Sequence, residues 1–181
     1  MSPSRPMTVT DSVDVAVDPA TAYAAFSDVA QMRRWSPENR GADAEPGRPL
    51  AVGDRFTGIN KRGRAVWRTS CEVVAADAPH HFAFTVDTWG VRKPWLKARI
   101  ATWDYRFEPI PDAAGSGAGS GAGSEAGTRV QQTWIDERTS WPDWTARTFD
   151  KVATGTTFAA FQRRNIAKTL ARFKTEMERV G

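Results

Sequence analysis

The chain is poor in the residues that carry most enzymatic chemistry. Its 181 residues include one cysteine, Cys71, and two histidines, His80 and His81. One cysteine rules out an intrachain disulfide and leaves too few ligands for a thiolate zinc site. This usage agrees with a reducing cytoplasm. The histidines follow Pro79 directly, where a strand is expected to begin. Adjacent strand residues point to opposite faces, so the pair does not converge on one metal. A Cys71–His nucleophilic pair is conceivable, and a small buried core cysteine is the ordinary alternative. No apolar run is long enough to cross a bilayer. Residues 1–6 lack the apolar stretch of a signal peptide, and no Walker or Rossmann glycine pattern occurs. The expectations are no metal, no cofactor, no membrane insertion and a cytoplasmic location.

Charge of one sign is also scarce. Lys and Arg number 25 against 21 Asp and Glu, a net charge of only +4. With no recognised nucleic-acid motif, no nucleic-acid partner is expected. The length suits a single core. Residues 113–127, AAGSGAGSGAGSEAG, have almost no side chains to bury and cannot offset their ordering entropy. A flexible linker of that length spans roughly 20 Å. Strand-like sequence lies on both sides, Ala101–Ile110 and Thr128–Glu137, so the segment reads as a hairpin loop. The expected organisation is a disordered tail at 1–6 and one domain over 7–181, with a flexible Gly/Ser-rich hairpin insertion at 111–127.

What the chain does have is period-two patterning and indole. Val9, Val13, Val15 and Val17 share one strand face, and Trp67, Thr69, Cys71 and Val73 share another. Phe82, Phe84 and Val86 alternate with polar neighbours. So do Trp103, Tyr105 and Phe107, with Asp104 and Glu108 on the outer face. Val130, Gln132, Trp134 and Asp136 form one more inward row. Asp54–Asn60 reads as a shorter strand, and residues 41–46 supply another. Antiparallel hairpins are the natural connections. Asp18-Pro19 opens a helix, Asp28 caps a second short one, and Ser36-Pro37 ends it. A last helix is predicted from about Lys151 to Val180. Its apolar stripe is Val152, Ala159, Ile166, Leu170, Phe173 and Met177, and Gly155 is read as a position of close approach or open space.

This order of elements resembles the polyketide cyclase/dehydrase branch of the START-like superfamily, the Bet v 1-like helix-grip proteins. The resemblance rests on Asp18-Pro19, Trp35-Ser36-Pro37, Val52-Gly53-Asp54-Arg55-Phe56, Trp67-x-Thr69-x-Cys71-x-Val73 and Ala78-Pro79-His80-His81-Phe82. It covers about residues 7–180 apart from the insert. It implies an α+β helix-grip fold: a curved antiparallel sheet of six to seven strands around a long C-terminal helix, with two short helices after the first strand. A cavity between sheet and helix is the implied site.

Eight tryptophans stand out in this frame. Trp67, Trp103 and Trp134 fall on predicted inward faces. Each brings a large apolar area and one N–H that needs a partner when buried. Core packing is the plain reading; an aromatic pocket is the functional one. For that pocket the candidate ligand-binding residues are Trp67, Thr69, Phe84, Trp103, Tyr105, Gln132, Trp134 and Ile166, with Asn165 a lesser one. Candidate catalytic groups are Asp136, Gln132 and Arg138, and Asp136 paired with Arg138 is the bland alternative. Trp89, Trp95, Trp141 and Trp144 fall in predicted connections. With Arg92, Lys93, Lys97 and Arg99 they suggest an entrance or docking surface, for which family analogy offers an acidic carrier protein. The leading expectation is a module that binds a small hydrophobic or aromatic ligand, lipid or polyketide-like. A cyclase or dehydratase acting on such a compound is the alternative, and an interaction module without a ligand stays open.

Overall fold

A computed structural model of the chain describes residues 4–94, 96–111 and 125–180. Its seven strands form one antiparallel sheet: β1 (Thr8–Val15), β2 (Asn39–Ala42), β3 (Arg55–Arg62), β4 (Ala65–Asp77), β5 (His81–Gly90), β6 (Leu96–Pro111) and β7 (Glu125–Asp136). The spatial order is β1-β7-β6-β5-β4-β3-β2. Consecutive strands from β2 to β7 are neighbours, and β1 closes against β7. Irregularities at Ser70/Cys71, Val73/Ala75 and Val86/Thr88 break the ladders of β4, β5 and β6. Bulges of this kind bend the bulged strand and increase its twist, and here the sheet curls into a half-barrel around α3 (Phe158–Val180).

Two short helical pieces cover the rest of the concave face. In α1 (Pro19–Ser27), Asp18 caps the start by accepting from Thr21 N at 3.0 Å, and Pro19 sits in the first turn. Asp28 accepts from Ala30 N and Gly47 N, at 3.1 and 2.9 Å. It thereby ties down a loop rather than opening a full helix. The second piece is only a 3-10 turn, Met32–Arg34. Phe26 holds the layers together, with its ring centroid 4.5 Å from Phe173, 4.6 Å from Tyr105 and 5.7 Å from Trp35. Each such pair adds about 0.5–1.5 kcal/mol beyond the area it buries.

The C-terminal helix differs from its prediction. It is divided into α2 (Asp143–Thr154) and α3, and Gly155 is the left-handed cap between them at φ 74°. Its N–H bonds Lys151 O at 2.9 Å, the role glycine fills at helix ends. Val152, assigned to the apolar stripe, is therefore on α2 and 85% exposed. The rest of the stripe, Ala159, Ile166, Leu170, Phe173 and Met177, is buried.

Three other expectations change. Ser4 and Arg5, placed in a disordered tail, are bonded to the domain, and Arg5 is buried. The short second strand is Asn39–Ala42 rather than 41–46. The β6–β7 hairpin pairs as far as Pro111↔Glu125, so residues 125–127 of the expected insert belong to a strand; residues 112–124 lie outside the described ones. Gly127 packs so closely that a Cβ there would lie 2.5 Å from Val15 O.

Candidate functional site

The inward rows of β6 and β7 place Trp103, Tyr105 and Gln132 beside a cavity of about 90 Å³ under α3. The helical side supplies Phe26, Met32, Trp35, Asn165 and Thr169, and β2, β3 and the preceding segment supply Ser36, Glu38, Asn39 and Asn60. The lining combines four aromatic rings, Phe26, Trp35, Trp103 and Tyr105, with four amides, Asn39, Asn60, Gln132 and Asn165. Two of the lining residues each have a buried polar atom with no hydrogen-bond partner among the described residues: the indole Nε1 of Trp35, a donor, and the amide Oε1 of Gln132, an acceptor. Leaving such a group unsatisfied costs about 1–3 kcal/mol. Burial pushes the Tyr105 phenol well above its ordinary pKa. Tyr105 is therefore a neutral hydroxyl at any physiological pH.

Outside the cavity lies a groove of about 280 Å³ between β3 and α3. Glu38 and Asn165 line both spaces and form the wall they share. Arg62 braces Glu38. Its Nε donates to Glu38 Oε1 at 2.5 Å, its Nη1 donates to the Ala153 carbonyl, and its guanidinium lies 4.0 Å from the Phe161 ring centroid.

Of the ligand-binding candidates, Trp103, Tyr105, Gln132 and Asn165 meet at the cavity. The others do not line it. Trp134 is fully buried and stands edge-on to Phe158 at 6.3 Å. Phe84 packs between Phe56 and Tyr105, and Ile166 is core. Trp67 is half-buried under Arg62, 5.4 Å from the guanidinium. Thr69 faces Asn60 and Cys71. Burial pushes the Cys71 thiol up to about 12, which removes the thiolate that nucleophilic chemistry would need.

Asp136 and Arg138 do not reach the cavity either. Asp136 receives four donors: Arg138 Nη2 at 2.7 Å, Arg138 Nε at 2.9 Å, the Arg138 amide at 3.0 Å and Arg5 Nε at 3.4 Å. With its oxygens so engaged, it has no lone pair to offer a substrate. Arg138 also donates to Asp150 Oδ1 at 2.7 Å, and Asp150 Oδ2 accepts from Phe158 N at 2.9 Å. Burial alone would lower the Arg138 pKa, but its hydrogen bonds to Asp136 and Asp150 raise it. This buried network joins the N-terminal segment, β7, α2 and the start of α3. Around it lie Trp141, Phe149 and Phe158, each within cation–π reach of Arg138. Trp89, on β5 rather than in a connection, meets Phe149 at 6.1 Å. Trp144 is exposed, as are Arg92 and Lys93. Arg99 lies 3.5 Å from Asp87; Trp95 and the Lys97 side chain are outside the described residues.

Trp35 and Glu38 were the lining residues hardest to foresee. Trp35 reads in the sequence as part of a helix stop. The available signal was its position directly before Ser36-Pro37, where a bulky aromatic must turn inward to be buried.

The profile of polyketide cyclase/dehydrase and lipid-transport proteins matches residues 6–178. The chain belongs to this family. No curated protein matches it. Among solved structures, a START superfamily protein from Mycobacterium smegmatis is 14% identical, with 97% of this chain and 100% of that one covered and a TM-score of 0.59. A Polyketide_cyc-like protein from Corynebacterium glutamicum is 22% identical over 97% and 93% of the two chains, with a TM-score of 0.54. The di-domain ARO/CYC StfQ of the steffimycin biosynthetic pathway is 12% identical, over 94% of this chain and 44% of that one, with a TM-score of 0.60. At these identities the likeness is one of fold, the helix-grip fold of the polyketide cyclase/dehydrase and START-like families. Family and fold support a ligand-binding or polyketide-related role. Among the described residues there is no cluster of three or more His, Cys, Asp or Glu able to hold a metal, and no helix long and apolar enough to cross a membrane.

Proposed function

We propose that the protein binds a small apolar, preferably aromatic, molecule through one hydroxyl group. The observation that carries this reading is that two cavity-lining residues on opposite layers, Trp35 and Gln132, each keep a buried polar atom, Nε1 and Oε1, with no partner among the described residues. A hydroxyl oxygen accepts from the first and donates to the second, which removes both desolvation penalties at once. An apolar cavity of about 150 Å³ can hold a benzene ring. At about 90 Å³ the inner space takes the polar group and part of a ring. The rest of the ligand extends into the groove, and the two spaces together reach the lower part of the roughly 300–1,000 Å³ range of small-molecule sites.

The test uses 2-naphthol and naphthalene, followed by isothermal titration and by tryptophan fluorescence, since Trp35 and Trp103 line the cavity. 2-Naphthol is expected to bind about tenfold more tightly, the value of one satisfied hydrogen bond. Equal affinities would remove the role given to the two atoms. Native mass spectrometry of the purified protein then identifies the resident ligand.

Glu38 favours a second reading, a cyclase or dehydratase acting on such a compound. It is the carboxylate of the cavity lining, and the Arg62 hydrogen bond fixes its Oε1. A carboxylate on the shared wall can take a proton from a carbon next to a bound carbonyl. Glu38→Gln would then abolish turnover while sparing binding. Docking of an acidic carrier protein at Arg92, Lys93 and Arg99 belongs to this reading, and association that ignores ionic strength would count against it.

A further inference from the structure

The groove carries more positive charge than its own carboxylate balances. Arg40, Lys61, Arg62, Arg164 and Lys168 line it, with Glu38 as the opposing charge. Glu38 is already bonded to Arg62. The other four cations make no ion pair among the described residues, and all four are exposed. They converge from separate elements: Arg40 from β2, Lys61 from β3, and Arg164 and Lys168 from one face of α3. Like charges four residues apart weaken a helix slightly, so α3 gains nothing from its pair. A concave wall lined by one sign of charge focuses potential and concentrates counter-ions.

We infer that the groove recognises an oxyanion, a carboxylate or a phosphate. The adjacency of groove and cavity, which share Glu38 and Asn165 in their linings, favours an oxyanion carried by the cavity's own ligand over a free ion. In that respect the inference rests on the function proposed above. Arg62 has little freedom to bind the anion, because Glu38, Ala153 and the Phe161 ring hold its guanidinium; it supplies fixed charge. Lys61, Arg164, Lys168 and Arg40 supply mobile donors on long stems, whose methylenes can lie along an apolar ligand body. The site then reads from inside outward as hydroxyl, ring, anion.

The experiment compares 2-naphthol, 6-hydroxy-2-naphthoate and inorganic phosphate by isothermal titration, in the wild-type chain and in the triple variant Lys61→Glu/Arg164→Glu/Lys168→Glu. These side chains are exposed, and circular dichroism checks that the variant is folded. The expected result is that wild type prefers the hydroxynaphthoate to 2-naphthol by about tenfold or more at low salt, and that the preference falls to about one in the variant. Equal affinities in wild type, or a preference that survives in the variant, would overturn the inference; the cavity reading would stand if 2-naphthol still outcompetes naphthalene. Phosphate binding that is lost in the variant, without binding of either naphthol, would keep the groove as a site for a free oxyanion and overturn the cavity reading. No binding of any probe would overturn both.

Discussion

Trp35 and Gln132 line one cavity from two sides, the helical layer and β7, and each keeps a buried polar atom without a partner among the described residues, a donor Nε1 on the first and an acceptor Oε1 on the second. Gln132→Leu removes the orphaned acceptor and keeps a side chain of similar size. Stability measured by urea unfolding is expected to stay within about 1 kcal/mol of wild type, while affinity for 2-naphthol falls about tenfold or more. A loss of several kcal/mol would mean that Gln132 serves the fold rather than the ligand.

Gly127 carries a steric prediction. A Cβ at this position would sit 2.5 Å from Val15 O, with Ala16 Cα at 3.8 Å. Both obstacles are backbone and cannot rotate away. Gly127→Ala should therefore push the end of β1 off β7, at a cost of about 1–3 kcal/mol. Hydrogen exchange of the Val13–Val15 amides is expected to accelerate in the variant. An unchanged exchange pattern would show that β1 yields without loss of pairing.

The fold was legible where local chemistry repeats. Period two put Tyr105, Phe107, Val130, Gln132 and Trp134 inward, and all five are buried. Asp18-Pro19 marked the start of α1. The break at Gly155 was not legible, because a glycine inside an apolar stripe and a glycine at a helix end read alike until the chain is seen to turn. The site was half legible. Trp103, Tyr105 and Gln132 follow from strand alternation, whereas Trp35 and Glu38 arrive through a 3-10 turn and a loop that have no period. The engagement of Asp136 was invisible for a different reason. Its inward direction followed from alternation, but one of its partners, Arg5, is 131 residues away, and only the fold brings them together.

Acid should reveal the attachment of the N-terminal segment. Hydrogen bonds from Ser4, and then from Arg5, hold the Asp143 carboxyl down at about 2, against an ordinary 3.8. A depressed carboxylate stabilises the fold fully above its unfolded pKa and loses that contribution as pH falls through the folded one. The contribution of Asp143 is thus complete above about pH 4 and disappears toward pH 2. Asp143→Asn should narrow the stability difference between pH 5 and pH 2.5 relative to wild type in denaturant titrations. An identical pH profile in the two proteins would show that Ser4 and Arg5 do not hold this carboxylate in solution.

The strongest single dependence should be on Arg138. Its side chain is wholly buried and serves Asp136 and Asp150, whose own side chains are 1% and 4% exposed. Deleting one member of such a set leaves buried charge without compensation, which costs about 3–5 kcal/mol. Arg138→Ala is therefore expected to unfold at markedly lower urea. The effect should be strongly non-additive with Asp136→Asn/Asp150→Asn, because the triple variant no longer holds the stranded carboxylates. If the network instead served the ligand, Arg138→Ala would weaken 2-naphthol binding by more than its loss of folded protein explains. The expected result is the opposite: affinity per folded molecule stays the same, since Arg138 does not line the cavity, and only the folded fraction falls.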